Sequence, residues 1–228
     1  MDRKELGASL NLRIELIPEG SANRSGQKIA PNFITIHNTS NSSPGANASA
    51  HSRFVREKGY YVLPSGKLNH VSWHYTVDDT CVIKHLPVNE KAIHAGPGNS
   101  ASIGIEVCMH AGINQPAANQ RAARLVAALM HDLRIKRENI VPHKHWTGKQ
   151  CPTLLMGDFN NFRQNCEGIC SAIEISAGAS ALVEDTELAE IRKAEEEGVA
   201  DALSQPEPDP DPDEEHELIA AEVSKFSH

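Results

Sequence analysis

Apolar and polar positions change rhythm along this chain, and the changes mark its elements. Phe33-Ile34-Thr35-Ile36-His37 is a short β-branched run that breaks into the polar stretch from Asn38 to Gly45. That pattern predicts a strand entering a loop. Asn47–Lys58 carries Ala and Phe54-Val55 at helical spacing and stops at Gly59, which fits a helix closed by glycine. Ser72–Val77 and Cys81–Leu86 flank Asp78-Asp79-Thr80 and read as a hairpin. Ser102–Cys108 is a further strand, following a Gly96-Pro97-Gly98-Asn99 loop. The period then lengthens over Gln115–Leu133. Leu125, Val126, Leu129, Met130 and Leu133 form one apolar stripe on a helix, extended backwards by Ala118 and Ala122. Ile140-Val141 predicts a short strand, and Thr153–Asn165 a last helix with Leu154, Leu155, Phe159 and Phe162 inward. The mixture predicts a single α/β domain, with a central mixed sheet flanked by helices.

After Cys170 the character shifts. Leu182–Leu203 is rich in Ala and Glu and reads as a surface helix. Gln205–Asp213 alternates proline with acid and reads as an extended linker, with room for a short helix in the last dozen residues. The expected division is therefore a body at 1–170 and an acidic, partly disordered tail at 171–228.

Charge sharpens that division. The 228 residues carry a formal net charge of −8. Residues 1–182 hold 19 basic and 14 acidic side chains, a net of +5; residues 183–228 hold 3 basic and 16 acidic, a net of −13. The body has no Lys/Arg cluster, so a nucleic-acid partner is not indicated. No apolar run approaches the roughly 18–20 residues that span a bilayer, and Met1–Leu10 lacks the apolar core of a secretory signal. Five cysteines are few for a disulfide scaffold. Cys166 and Cys170 read as two thiols near the domain's end, with a redox or metal role as the alternative.

Three pieces of the body carry chemistry. His37 ends a strand, where an imidazole can project into a cleft, although an isolated histidine there is more often hydrogen-bonded filler. His143-Lys144-His145-Trp146-Thr147-Gly148-Lys149-Gln150-Cys151-Pro152 places a histidine and a cysteine on a tight loop that can close on one ion. Zn²⁺ takes imidazole nitrogen at about 2.0–2.1 Å and thiolate sulfur at about 2.3 Å. With His37 as third ligand, the fourth position stays open for water, the catalytic arrangement. Spacing alone does not choose between His143 and His145. Glu106 interrupts the apolar run Ile103-Gly104-Ile105-Glu106-Val107. It is either an outward-facing strand residue or a carboxylate placed to take a proton from zinc-bound water.

Taken in order, Thr35-Ile36-His37-Asn38-Thr39, Ser72-Trp73-His74-Tyr75, Ile93-His94-Ala95-Gly96, Ser102-Ile103-Gly104-Ile105-Glu106 and His143-x7-Cys151-Pro152 resemble the zinc-dependent N-acetylmuramoyl-L-alanine amidases of phage endolysins and bacterial autolysins. The peptidoglycan recognition proteins share that fold family. The resemblance covers roughly residues 10–165 and leaves the tail outside. It implies one zinc per chain held by His37, His143 and Cys151, with His143 chosen over His145 by the count of seven intervening residues. It implies Glu106 as the base and Lys149 as the group that stabilises the oxyanion. His94, Trp73 and Asn38 are placed in the substrate groove; Trp73 stands where some relatives have a catalytic tyrosine, and a structural role behind the ligands is the alternative for His94. The implied activity is hydrolysis of the amide between the lactyl group of N-acetylmuramic acid and L-alanine of the stem peptide. Peptidoglycan is then the partner of a monomer made in a bacterial or phage-infected cytoplasm and acting on the wall after release. Two alternatives follow from the same residues. A non-catalytic peptidoglycan-binding module is one; a structural zinc site closed by His145 or His74 is the other.

Overall fold

The computed structural model describes residues 2–177 and 222–225. Its centre is a six-stranded sheet made of β1 (Leu12–Ile14), β2 (Phe33–Asn38), β5 (Tyr75–Val77), β6 (Val82–Lys84), β7 (Ser102–Val107) and β8 (Ile140–Pro142). The spatial order is β1-β6-β5-β7-β2-β8. The β5–β6 hairpin is antiparallel and the other neighbours are parallel. β3 (Tyr60–Val62) and β4 (Leu68–His70) form a separate two-stranded hairpin. The helices are α1 (Arg3–Ser9), α2 (Ala48–Glu57), α3 (Gln115–Leu133), the single turn α4 (Lys144–Thr147) and α5 (Phe159–Ala177). A mixed sheet flanked by helices is what the alternating pattern predicts.

Strand alternation gives the sheet two unlike faces. Ile34 and Ile36 on β2, Tyr75 and Val77 on β5, and Ile103, Ile105 and Val107 on β7 join α3 and α5 in the main core. The intervening positions are Thr35, His37, Thr76, Gly104 and Glu106, so polar side chains gather on the opposite face. That face is partly covered by α2, whose Ala50, Phe54 and Val55 pack with Tyr61, Trp73 and Leu86 in a second core. Asn47 caps α2 by accepting from the Ala50 N–H at 3.0 Å. Gly59 ends that run at φ +63°, where a Cβ would lie 2.1 Å from the Asn23 amide; both the backbone and the space require glycine.

The last helix begins later than its apolar pattern predicts. Thr153–Asp158 is a loop with a tight turn at Met156–Asp158, and Leu154 is exposed rather than inward. The physical reason is local: the Leu154 N–H donates to Asn38 Oδ1 at 2.9 Å, and the Leu155 and Met156 N–H groups both turn back to the Pro152 carbonyl. These bonds hold the segment against the end of β2 until Phe159. Phe159, Phe162, Cys166 and Cys170 then face the core, and burial pushes both thiols up. Buried and protonated, this pair packs as small apolar side chains.

The predicted Leu182–Leu203 helix and Gln205–Asp213 linker lie outside the described residues. Within the last dozen residues, where a short helix is expected, the described residues 222–225 form a helical turn that touches the body. Val223 is fully buried in the α2 core, Glu222 pairs with Lys58, and Ser224 Oγ donates to Ser43 Oγ at 2.9 Å.

Three histidines are built into the interior as neutral groups. Burial lowers His51 and His74 to about 4 and His85 to about 3. Each has a folded pKa below its unfolded value, so its neutral form is favoured by folding. The resulting stability is intact above about pH 6.5 and is lost as pH falls towards 4, at about 1.4 kcal/mol per pH unit for each group. Urea midpoints measured from pH 7 to pH 4 are expected to fall steeply; a flat profile would show that these rings are hydrated.

Candidate metal centre and active site

The site is assembled at the C-terminal ends of three adjacent parallel strands. β2 and β7 pair so that His37 lies directly beside Glu106. β8 pairs with the other edge of β2, Ile36 opposite Pro142, which delivers His143 next to His37. The His143 N–H donates to the Ile36 carbonyl at 3.3 Å, and the two imidazole centroids are 4.6 Å apart. His37 and His143 are both buried.

Cys151 arrives on the loop that follows. α4 turns the chain, Gly148 reverses it at φ +83°, and the Lys144 N–H donates back to the Cys151 carbonyl at 3.2 Å. Trp146 anchors the turn by donating its indole N–H to Thr35 Oγ1 at 2.8 Å. Asn38 holds the other side, bonding to the Val107 carbonyl and to the Leu154 N–H. The Cys151 sulfur ends 3.9 Å from His37 Nδ1. One ligand atom each from His37, His143 and Cys151 lies within 4.8 Å of the others. Tetrahedral zinc with N and S ligands at about 2.0–2.3 Å places such atoms about 3.5 Å apart, so a small contraction would close the set on an ion.

The donor chemistry fits zinc. His143 Nδ1 is buried without a hydrogen-bond partner among the described residues. Burial, and then the positive charge of Lys149, lower His143 to about 3, which keeps it in the neutral form that ligates. Glu106 borders the cluster, with Oε1 3.9 Å from His37 Nδ1 and a side chain 11% exposed. The strand carboxylate therefore faces the site.

The remaining histidines resolve the choices that spacing left open. His145 follows His143 by two residues, and an extended chain would put both rings on one side. The chain instead enters α4 at Lys144, and two helical steps of about 100° swing His145 away. Its exposed ring packs beside Phe33 and Trp146. His74 has both ring nitrogens occupied by backbone: Nδ1 accepts from the Gly104 N–H at 2.9 Å, and Nε2 meets the Glu90 carbonyl at 2.8 Å. Neither ring supplies a fourth ligand.

The three residues expected in the substrate groove are placed otherwise. Trp73 is 2% exposed, stacks on Phe54 and donates to Thr76 Oγ1 at 2.7 Å. It is core. Asn38 is fully buried and staples the Cys151 loop to the sheet. His94 is buried behind His37, its Nδ1 3.0 Å from His37 Nε2. Burial lowers its pKa well below the usual range. No local pattern marks Trp146, Thr35 or Asn99 as anchors, because they act through long-range or loop hydrogen bonds.

Residues 26–154 match the family of N-acetylmuramoyl-L-alanine amidases, a span that contains His37, Glu106, His143, Lys149 and Cys151. The chain belongs to that family. It is 40% identical over 163 residues to N-acetylmuramoyl-L-alanine amidase XlyA of Bacillus subtilis (strain 168), covering 70% of this chain and 52% of that protein. It is 38% identical over 158 residues to N-acetylmuramoyl-L-alanine amidase CwlH of the same organism, covering 67% of this chain and 60% of that protein. The chain thus spans just over half the length of these curated relatives. Its structure is similar to that of the catalytic domain of XlyA, with a TM-score of 0.62 at 41% identity, covering 68% of this chain and 99% of that domain. Among the described residues of this family member, no helix is long and apolar enough to cross a membrane.

Proposed function

We propose that the protein is a peptidoglycan hydrolase. It cuts the amide between the lactyl group of N-acetylmuramic acid and L-alanine of the stem peptide, using one zinc ion per chain held by His37, His143 and Cys151. The observation that carries the reading is the β2–β7 register, which sets a carboxylate beside a three-ligand cluster rather than a fourth ligand. Zinc bound there supplies a Lewis acid that polarises the scissile carbonyl and lowers the pKa of a water towards about 7.

The chain's own groups do the rest. Glu106 accepts the attacking water's proton and returns it to the departing amine of L-alanine. Lys149, buried and near enough to depress His143, holds the negative charge that develops on the carbonyl oxygen. The +5 charge of residues 1–182 favours approach to anionic wall polymers. Hydrolysis belongs to the body, acts on the wall after release from the cell that makes the protein, and needs neither a second copy nor a nucleic acid.

Mass spectrometry of muropeptides tests this reading. Digestion of purified wall is expected to free stem peptides with an L-alanine N-terminus, and a chelator is expected to stop it. Cuts elsewhere, or none, would overturn the reading. A protein ending at Ala177 is expected to give the same products, with a melting temperature a few degrees lower because Val223 no longer packs. A folded truncation that no longer cuts would assign catalysis to the tail as well.

A further inference from the structure

The geometry around His37 assigns work to a residue outside the His37–His143–Cys151 cluster. The Nδ1 of His37 faces the cluster, 3.9 Å from both the Cys151 sulfur and Glu106 Oε1. The Nε2 points the opposite way and meets His94 Nδ1 at 3.0 Å, the two rings standing at 77°. An imidazole that gives its Nδ1 lone pair to a metal carries its proton on Nε2. The contact then has one consistent polarity: His37 Nε2–H donates and His94 Nδ1 accepts. We infer that His94 is the positioning residue of the metal centre, fixing the tautomer and ring plane of His37 as a zinc ligand.

Two independent features of the fold are built around that contact. Gly104 lies on β7 beneath the His94 ring; a Cβ there would fall 2.7 Å from His94 Cγ and Nδ1. Nothing about the Gly104 backbone calls for glycine otherwise, since it is an ordinary strand position. The glycine of Ile103-Gly104-Ile105-Glu106 is the seat of the imidazole. The His94 backbone is held as firmly: Asn99 Oδ1 accepts from the His94 N–H at 2.8 Å and from the Ala95 N–H at 2.7 Å. One short strand thus offers the base, Glu106, and two residues earlier the clearance for the group that orients the ligand beside it. Ligating histidines more often hand their second N–H to a carboxylate, carbonyl or water. An imidazole acceptor sets the same tautomer without adding a negative charge beside the site.

This inference rests on the zinc reading, so the test begins with the unaltered full-length protein. Its zinc affinity is measured by competition with a chromophoric chelator. Long-range ¹H–¹⁵N NMR of the zinc-loaded protein is expected to place the proton of His37 on Nε2 and leave His94 Nδ1 unprotonated. His94→Phe keeps a ring but removes the acceptor, and is expected to weaken zinc binding about tenfold to a hundredfold. His94→Asn returns an acceptor oxygen near the Nδ1 position and is expected to recover most of that loss. A His37 proton on Nδ1, wild-type affinity in folded His94→Phe, or equal loss in both variants would overturn the inference. Failure of the unaltered protein to bind zinc at all would instead overturn the parent reading.

Discussion

Glu106→Gln is expected to lose about two to four orders of magnitude in hydrolysis of purified wall while binding zinc as the unaltered protein does. The substitution keeps the length and shape of the side chain and removes its ability to take a proton. Packing should change little, because Glu106 sits at the rim of the cluster with its side chain 11% exposed rather than within the apolar core. A carboxylate that served only to hold His37 would behave differently, since glutamine can still hydrogen-bond and the rate would fall little. The measurement is the rate of newly freed amines per zinc-loaded protein. A rate within tenfold of the unaltered protein, at equal zinc content, would remove Glu106 from the proton-transfer step.

Cys151→Ser is expected to remove both zinc and hydrolysis. A thiolate is a charged, polarisable donor that reaches zinc at about 2.3 Å, whereas a serine hydroxyl is neutral and its oxygen sits closer to its own Cβ. Two imidazoles would then remain, too few to hold the ion against water. The loss in affinity should exceed the roughly 10–100-fold that follows removal of a supporting partner, because a direct bond to the ion is lost. The loop itself is tied down by the Lys144 N–H to Cys151 carbonyl bond, by Trp146 on Thr35 and by Asn38 on Leu154, none of which uses the sulfur. The variant is therefore expected to fold. Zinc content by atomic absorption decides the matter: stoichiometric metal in the folded variant would overturn Cys151 as a ligand.

The sequence by itself determined the elements whose side-chain period is local. The alternation Ile34-Thr35-Ile36-His37 and Ile103-Gly104-Ile105-Glu106 marks strands with one apolar face, and the stripe on Gln115–Leu133 marks the helix that covers that face. The five ordered motifs carried the resemblance to the family, and the resemblance implies His37, His143 and Cys151 as the ligand set. The tertiary structure shows why His143 and not His145 faces the cluster, because that depends on the chain turning helical at Lys144. It also moved Trp73 and Asn38 from a groove into the packing that supports the site, and showed why position 104 is glycine. Those outcomes depend on contacts between segments distant in sequence: strand register, a loop stapled to a sheet end, one ring seated over another strand. A local pattern shows which side a residue faces on its own element. What it meets there is settled only when the elements pack.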